Sequence, residues 1–162
     1  MTNRADALRT QLIRNIDAVP RTRFERAPLY DSMCASLSDG TAAKKLGIAV
    51  DVLPAGARSC PYHFHHAQEE MFIVLEGQGT LRVAGENLTI VAGDVMTIPA
   101  GPEYPHHIIN TSSAPLKYLS ISTQERPEVC EYPDSGKVAA FNHGPLLIHR
   151  RADSLDYWDG EA

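Results

Sequence analysis

The chain has 162 residues, 43% of them hydrophobic and 22% charged, with 15 basic against 20 acidic side chains for a formal charge of −5. That length predicts one domain, able to bury about two-thirds of the surface its unfolded chain exposes. The acidic balance argues against a nucleic-acid partner, which needs a basic face, and no apolar run is long enough to span a bilayer.

The opening stretch MTNRADALRT mixes charges with small side chains and lacks the apolar core of a secretory signal. Cys34, Cys60 and Cys130 are odd in number and widely spaced, which suits reduced thiols in a cytoplasmic setting. Leu8, Leu12, Ile16 and Val19 recur every three or four residues, predicting an amphipathic helix over 4–19, capped by Asn3 and stopped by Pro20. Its apolar face would pack on the domain or on a partner subunit. Residues 20–43, with Pro20, Pro28 and an SDGT turn, read as irregular chain with at most one short strand.

From Leu46 the texture becomes strand-like. Ile48, Val50 and Val52 alternate with Ala49 and Asp51, as in a half-buried strand. Met71–Glu76 reads as a buried strand. Further strands are predicted over 80–83, 88–91, 95–98, 106–110 and 116–123, punctuated by glycine turns. Short strands at this spacing predict an all-β antiparallel barrel or sandwich. After Pro127 the pattern loosens to a turn at 133–136, a possible edge strand over 146–149, and an acidic tail. There the Tyr157-Trp158 pair is expected to dock on an apolar surface. His143 and His149 fall in this tail and receive no role. The division is thus a lead-in over 1–45, a barrel over 46–123 and a C-terminal extension over 124–162.

Chemistry concentrates between Gly56 and Gly77. His63 and His65 share a face of an extended segment, because side chains alternate with period two. A reversal at Ala67-Gln68 would fold Glu70 back beside them, and His106 is the best fourth donor. Imidazole and carboxylate suit borderline divalent metals such as zinc, iron, manganese or nickel. Parity sends His66 and His107 to the other face, although either could replace its neighbour as ligand. Glu69 reads as exposed or as a group orienting a ligand histidine, Asn110 as a turn support, and Cys60 as a small buried hydrophobe. Arg58, Tyr62 and Tyr104 are candidate rim residues.

These residues resemble the two motifs of the cupin superfamily. In the first, a glycine (Gly56) precedes His63-Phe64-His65, then Glu70 and Gly77. In the second, Gly93, Pro99 and Gly101 precede His106 and Asn110. One extra residue separates Gly56 from His63, and two separate Gly101 from His106, so a strict pattern would place Tyr104 at the histidine position. His106 keeps its spacing to Asn110 and is carried over. The resemblance implies a jelly-roll barrel, a double-stranded β-helix, with a divalent metal on His63, His65, Glu70 and His106, in a protein of homodimeric habit that takes a small-molecule ligand.

An open coordination position points to ligand exchange or catalysis. The resemblance alone favours an isomerase or epimerase of a small sugar or sugar phosphate, although the sequence offers no phosphate cradle. The alternatives are an Fe(II)-dependent dioxygenase of a small chelating metabolite and a non-catalytic binding module.

Overall fold

The structure is a computed structural model that describes residues 3–142 and 144–161. His143 lies outside them. Among the described residues one α-helix, α1 (Arg4–Leu12), precedes thirteen strands: β1 (Thr22–Arg26), β2 (Tyr30–Ser36), β3 (Leu46–Leu53), β4 (Phe64–His65), β5 (Glu70–Glu76), β6 (Gln78–Val83), β7 (Glu86–Val91), β8 (Val95–Ile98), β9 (His106–Ile109), β10 (Leu116–Thr123), β11 (Glu128–Tyr132), β12 (Lys137–Phe141) and β13 (Leu147–Arg150). The all-β expectation is met. A six-stranded sheet runs β1-β2-β3-β10-β5-β8, a three-stranded sheet runs β7-β6-β9, and a four-stranded sheet runs β13-β12-β11-β4.

The interior follows from strand parity. Phe72 and Val74 of β5, Leu53 of β3, Leu116 and Tyr118 of β10, Leu81 of β6 and Ile108 of β9 form one buried apolar cluster. Alternation puts Glu70 on the face of Phe72 and Val74, and puts Asp51, directly across from Tyr118, on Tyr118's face. Two acids are thereby aimed inward. β5 is half-buried and alternating, not buried throughout as its composition suggested.

Four other expectations need correction. The helix stops at Leu12 with no buried residue. Asn3 caps it through Oδ1 as expected, but the Asn15 side chain accepts from the backbone of Asp17 and Ala18, and that local turn replaces further helix. Residues 20–43 hold two strands: β1 and β2 pair in register from Thr22↔Cys34 to Arg26↔Tyr30 and extend the main sheet. The loose region after Pro127 holds the β11–β12 hairpin, closed by the 133–136 turn. Tyr157 and Trp158 pack edge to face on each other, at 84% and 70% exposure, and dock on nothing among the described residues.

Gly77 closes the turn between β5 and β6 at φ +83°, where a Cβ would meet the Pro115 carbonyl oxygen at 2.4 Å. Backbone cannot give way as a flexible side chain can. Gly77→Ala should therefore destabilise the fold by about 2–4 kcal/mol, measured by urea unfolding. Gly85→Ala is the control: its φ is also positive, but no atom stands in the way.

Candidate metal centre

His63 and His106 are 43 residues apart in the chain, and the backbone joins them. Each donates its N–H to the other's carbonyl, at 3.1 and 2.7 Å, in an antiparallel bridge. β4 continues from this bridge to His65, and β5 begins at Glu70, whose side chain turns inward with Phe72. The four predicted residues meet. Oε2 of Glu70 lies 2.9 Å from His106 Nε2, 3.6 Å from His65 Nε2 and 3.7 Å from His63 Nε2. His63, Glu70 and His106 present donor atoms that could hold a metal ion, and so do His63, His65 and Cys130.

The donors also behave as if prepared for a cation. Glu70 Oε2 and His106 Nε2 are buried, and despite their proximity neither has an aligned hydrogen-bond partner. Orphaned buried polar atoms are costly, and a shared cation would satisfy both. Burial alone would push the Glu70 carboxyl up. The surrounding imidazoles, His106 first, outweigh burial and hold it below its ordinary value. Burial also holds His65 below the usual imidazole range. A neutral imidazole at His65 and an ionised carboxylate at Glu70 are protonation states a metal needs.

A cavity of about 230 Å³ opens on His63, Glu70 and His106, with His65 outside its lining, and is bounded also by Asp51, Cys60, Phe72, His107, Tyr118 and Ser120. Asp51 differs from the other acids: burial raises its carboxyl to about 6, partly opposed by a hydrogen bond from the Cys34 thiol. Burial lifts the thiols of Cys34, Cys60 and Cys130 to about 12. Cys60 is half-buried at the cavity, with Sγ 3.7 Å from His63 Nδ1.

The remaining candidates divide. His66 is on the surface and contacts Glu131 at 2.9 Å. His107 is fully buried, with Nδ1 3.2 Å from the Cys60 carbonyl. Asn110 ties Leu53 and Ala114 carbonyls together and supports the turn as expected. Glu69 is exposed and orients no histidine. Arg58 lies outside the cavity lining, Tyr62 is buried under the Arg82 guanidinium at 3.8 Å, and Tyr104 lines a different, apolar groove.

Sequence reasoning missed Glu128. Its carboxylate, 2% exposed, accepts from three successive backbone N–H groups, His66 at 2.8 Å, Ala67 at 3.1 Å and Gln68 at 2.7 Å. It therefore holds the reversal between His65 and Glu70. Oε1 also lies 3.6 Å from His65 Nδ1. The sequence signal is faint: a lone acid after a proline, with partners about sixty residues away.

Residues 49–122, a little under half of the chain, match the family model described as the cupin domain, and the fold is that of the cupin superfamily. Over 78 residues it is 35% identical to an uncharacterized protein of Methanocaldococcus jannaschii, a match covering 48% of this chain and 60% of that relative. It is 27% identical over 155 residues to auxin-binding protein T92 of Nicotiana tabacum, covering 93% of this chain and 79% of that one. Among solved structures it resembles a protein of Acidithiobacillus ferrooxidans provisionally named a sugar phosphate isomerase, with a TM-score of 0.79, 25% identity, and coverage of 96% and 95% of the two chains. No helix among the described residues is long and apolar enough to cross a membrane.

Glu128→Ala leaves three backbone donors unsatisfied and should cost about 2–4 kcal/mol in urea unfolding. Glu128→Gln, which keeps one acceptor oxygen, should cost less. A loss under about 1 kcal/mol for the alanine variant would contradict the anchoring role.

Proposed function

We propose that the protein is a metal-dependent isomerase or epimerase of a small hydroxy-carbonyl compound, with the cation held by His63, His65, Glu70 and His106. The observation that carries this proposal is the sharing of one cavity by two unlike acids, a Glu70 whose carboxyl is held below its ordinary value and an Asp51 whose carboxyl burial raises to about 6. Such divergence separates an electrostatic role from a proton-transfer role. When bound, a divalent ion supplies Lewis-acid polarisation of a carbonyl or hydroxyl oxygen. Asp51 is poised to remove the proton from the carbon beside that carbonyl and to return it either to the carbonyl carbon, the hydroxyl proton passing to the former carbonyl oxygen, or to the opposite face of the same carbon. Atoms balance in either case, and the product is an isomer of the substrate.

Size and charge narrow the substrate. A volume of 230 Å³ is below the usual ligand pocket and equals roughly seven or eight waters of liquid volume. The lining includes no Lys or Arg, so we assign an unphosphorylated substrate of three to five carbons. The name of the Acidithiobacillus protein supports the reaction class.

Glu70→Ala and His65→Ala should lower metal content at least tenfold by elemental analysis. The fold should survive, because neither side chain belongs to the apolar cluster. Asp51→Asn should keep the metal and lose about 10²–10⁴ in solvent-deuterium exchange on short hydroxy-aldehydes and hydroxy-ketones. A base must be ionised to act, so wild-type exchange should rise with pH through about 6. Stability has the opposite slope. The folded-state value, about 6, lies above the ordinary 3.8, so Asp51 disfavours the fold increasingly as pH rises from 4 to 6. Asp51→Asn should relieve roughly 3 kcal/mol at pH 7 and well under about 1 kcal/mol at pH 4. Fe(II)-dependent oxygen uptake without exchange would overturn the proposal in favour of oxygenation. Retained ligand without either reaction would favour the binding role that the tobacco relative's name suggests.

A further inference from the structure

Cys130 has no part in the proposed chemistry, yet it stands at the metal donors. It lies on β11 directly across from His65 of β4, as a cross-strand Cα partner, so the two side chains share a face. That face points inward: Cys130 is 1% exposed. Its Sγ lies within 4.8 Å of donor nitrogens of both His63 and His65, so that His63 belongs to two overlapping ligand groups, one completed by Glu70 and His106 and the other by His65 and Cys130. The strand that carries Cys130 also carries Glu128, whose grip on the 66–68 backbone fixes where His65 sits relative to the thiol. Among the described residues no other cysteine joins a ligand group; Cys60 touches only the Nδ1 side of His63.

We infer that Cys130 supplies a thiolate ligand to the cation, so that the C-terminal hairpin completes the coordination sphere. This rests on the metal-binding role proposed above. On coordination the thiol loses its proton to solvent and the sulfur binds the divalent ion, with no change of oxidation state. Two physical consequences follow. Sulfur shifts the site's preference toward softer ions, zinc and cobalt over manganese and magnesium. The second negative ligand also cancels the net charge that three imidazoles and one carboxylate would leave on a divalent ion.

Cobalt(II) titration of the metal-free full chain tests this. The wild type should show ligand-field bands in the visible, which report binding, together with a near-ultraviolet thiolate-to-cobalt charge-transfer band, which reports sulfur. Cys130→Ser should abolish the charge-transfer band, keep the ligand-field bands, and weaken zinc binding about tenfold while manganese binding changes little. Cys60→Ser should keep both sets of bands. Zinc-edge X-ray absorption of the unmodified protein supplies the measurement that no folding defect can confound: one sulfur at about 2.3 Å is expected. Cobalt bound with no charge-transfer band, a band that survives in Cys130→Ser, or a zinc shell of nitrogen and oxygen alone would overturn the inference and leave the metal-binding role standing. Failure of the wild type to bind cobalt at all would overturn both.

Discussion

The site depends on one backbone contact, the reciprocal hydrogen bonding of His63 with His106. Each residue belongs to a different segment of the barrel, and neither segment alone gathers more than two imidazoles toward one point. Pairing their main chains fixes the two ring positions to within the tolerance of a rotamer. Glu70 then needs only the inward parity of β5 to complete the set. Because main-chain geometry sets the placement, the donors persist as a buried cluster even though Glu70 Oε2 and His106 Nε2 lack aligned partners. The fold bears this unsatisfied polarity because its apolar cluster, from Leu53 to Tyr118, lies next to the donors and does not include them.

A second constraint comes from outside the matched family region. β4 is two residues long and pairs with β11, not with the main sheet. Glu128 accepts from three N–H groups just after His65, and it is these contacts that give the short strand a fixed end. The C-terminal extension is thus structurally joined to the donor cluster of His63, His65, Glu70 and His106. The sheets also combine strands from both sides of the boundaries drawn at residues 45 and 124: β1 and β2 extend the same sheet as β3, and β11 to β13 share a sheet with β4. The apolar cluster itself lies wholly between 53 and 118.

Much of this was legible because period-two alternation and glycine turns are local signals. The strands from Leu46 to Thr123 were read within a residue or two, and so was the convergence of His63, His65, Glu70 and His106, since parity and one hairpin reversal dictate it. One error is local and the others come from tertiary context. Leu8, Leu12, Ile16 and Val19 have helical spacing, but the Asn15 side chain captures the backbone first. β1 reads TRFER, is exposed at every position, and shows no apolar face to detect; its identity comes from pairing with β2. β11 places a charged residue at its most buried end, so composition argued against a strand. Asp51 looked like the solvent side of an amphipathic strand, and only the register with Tyr118 reveals that it faces inward.

Anomalous diffraction from crystals of the metal-loaded protein, recorded at the absorption edge of the ion found by elemental analysis, tests the central claim most directly. The account predicts one strong peak inside the barrel, roughly 2.0–2.2 Å from nitrogens of His63, His65 and His106 and from a carboxylate oxygen of Glu70. A peak bound elsewhere on the chain, or a loaded crystal with no peak among these four side chains, would contradict it.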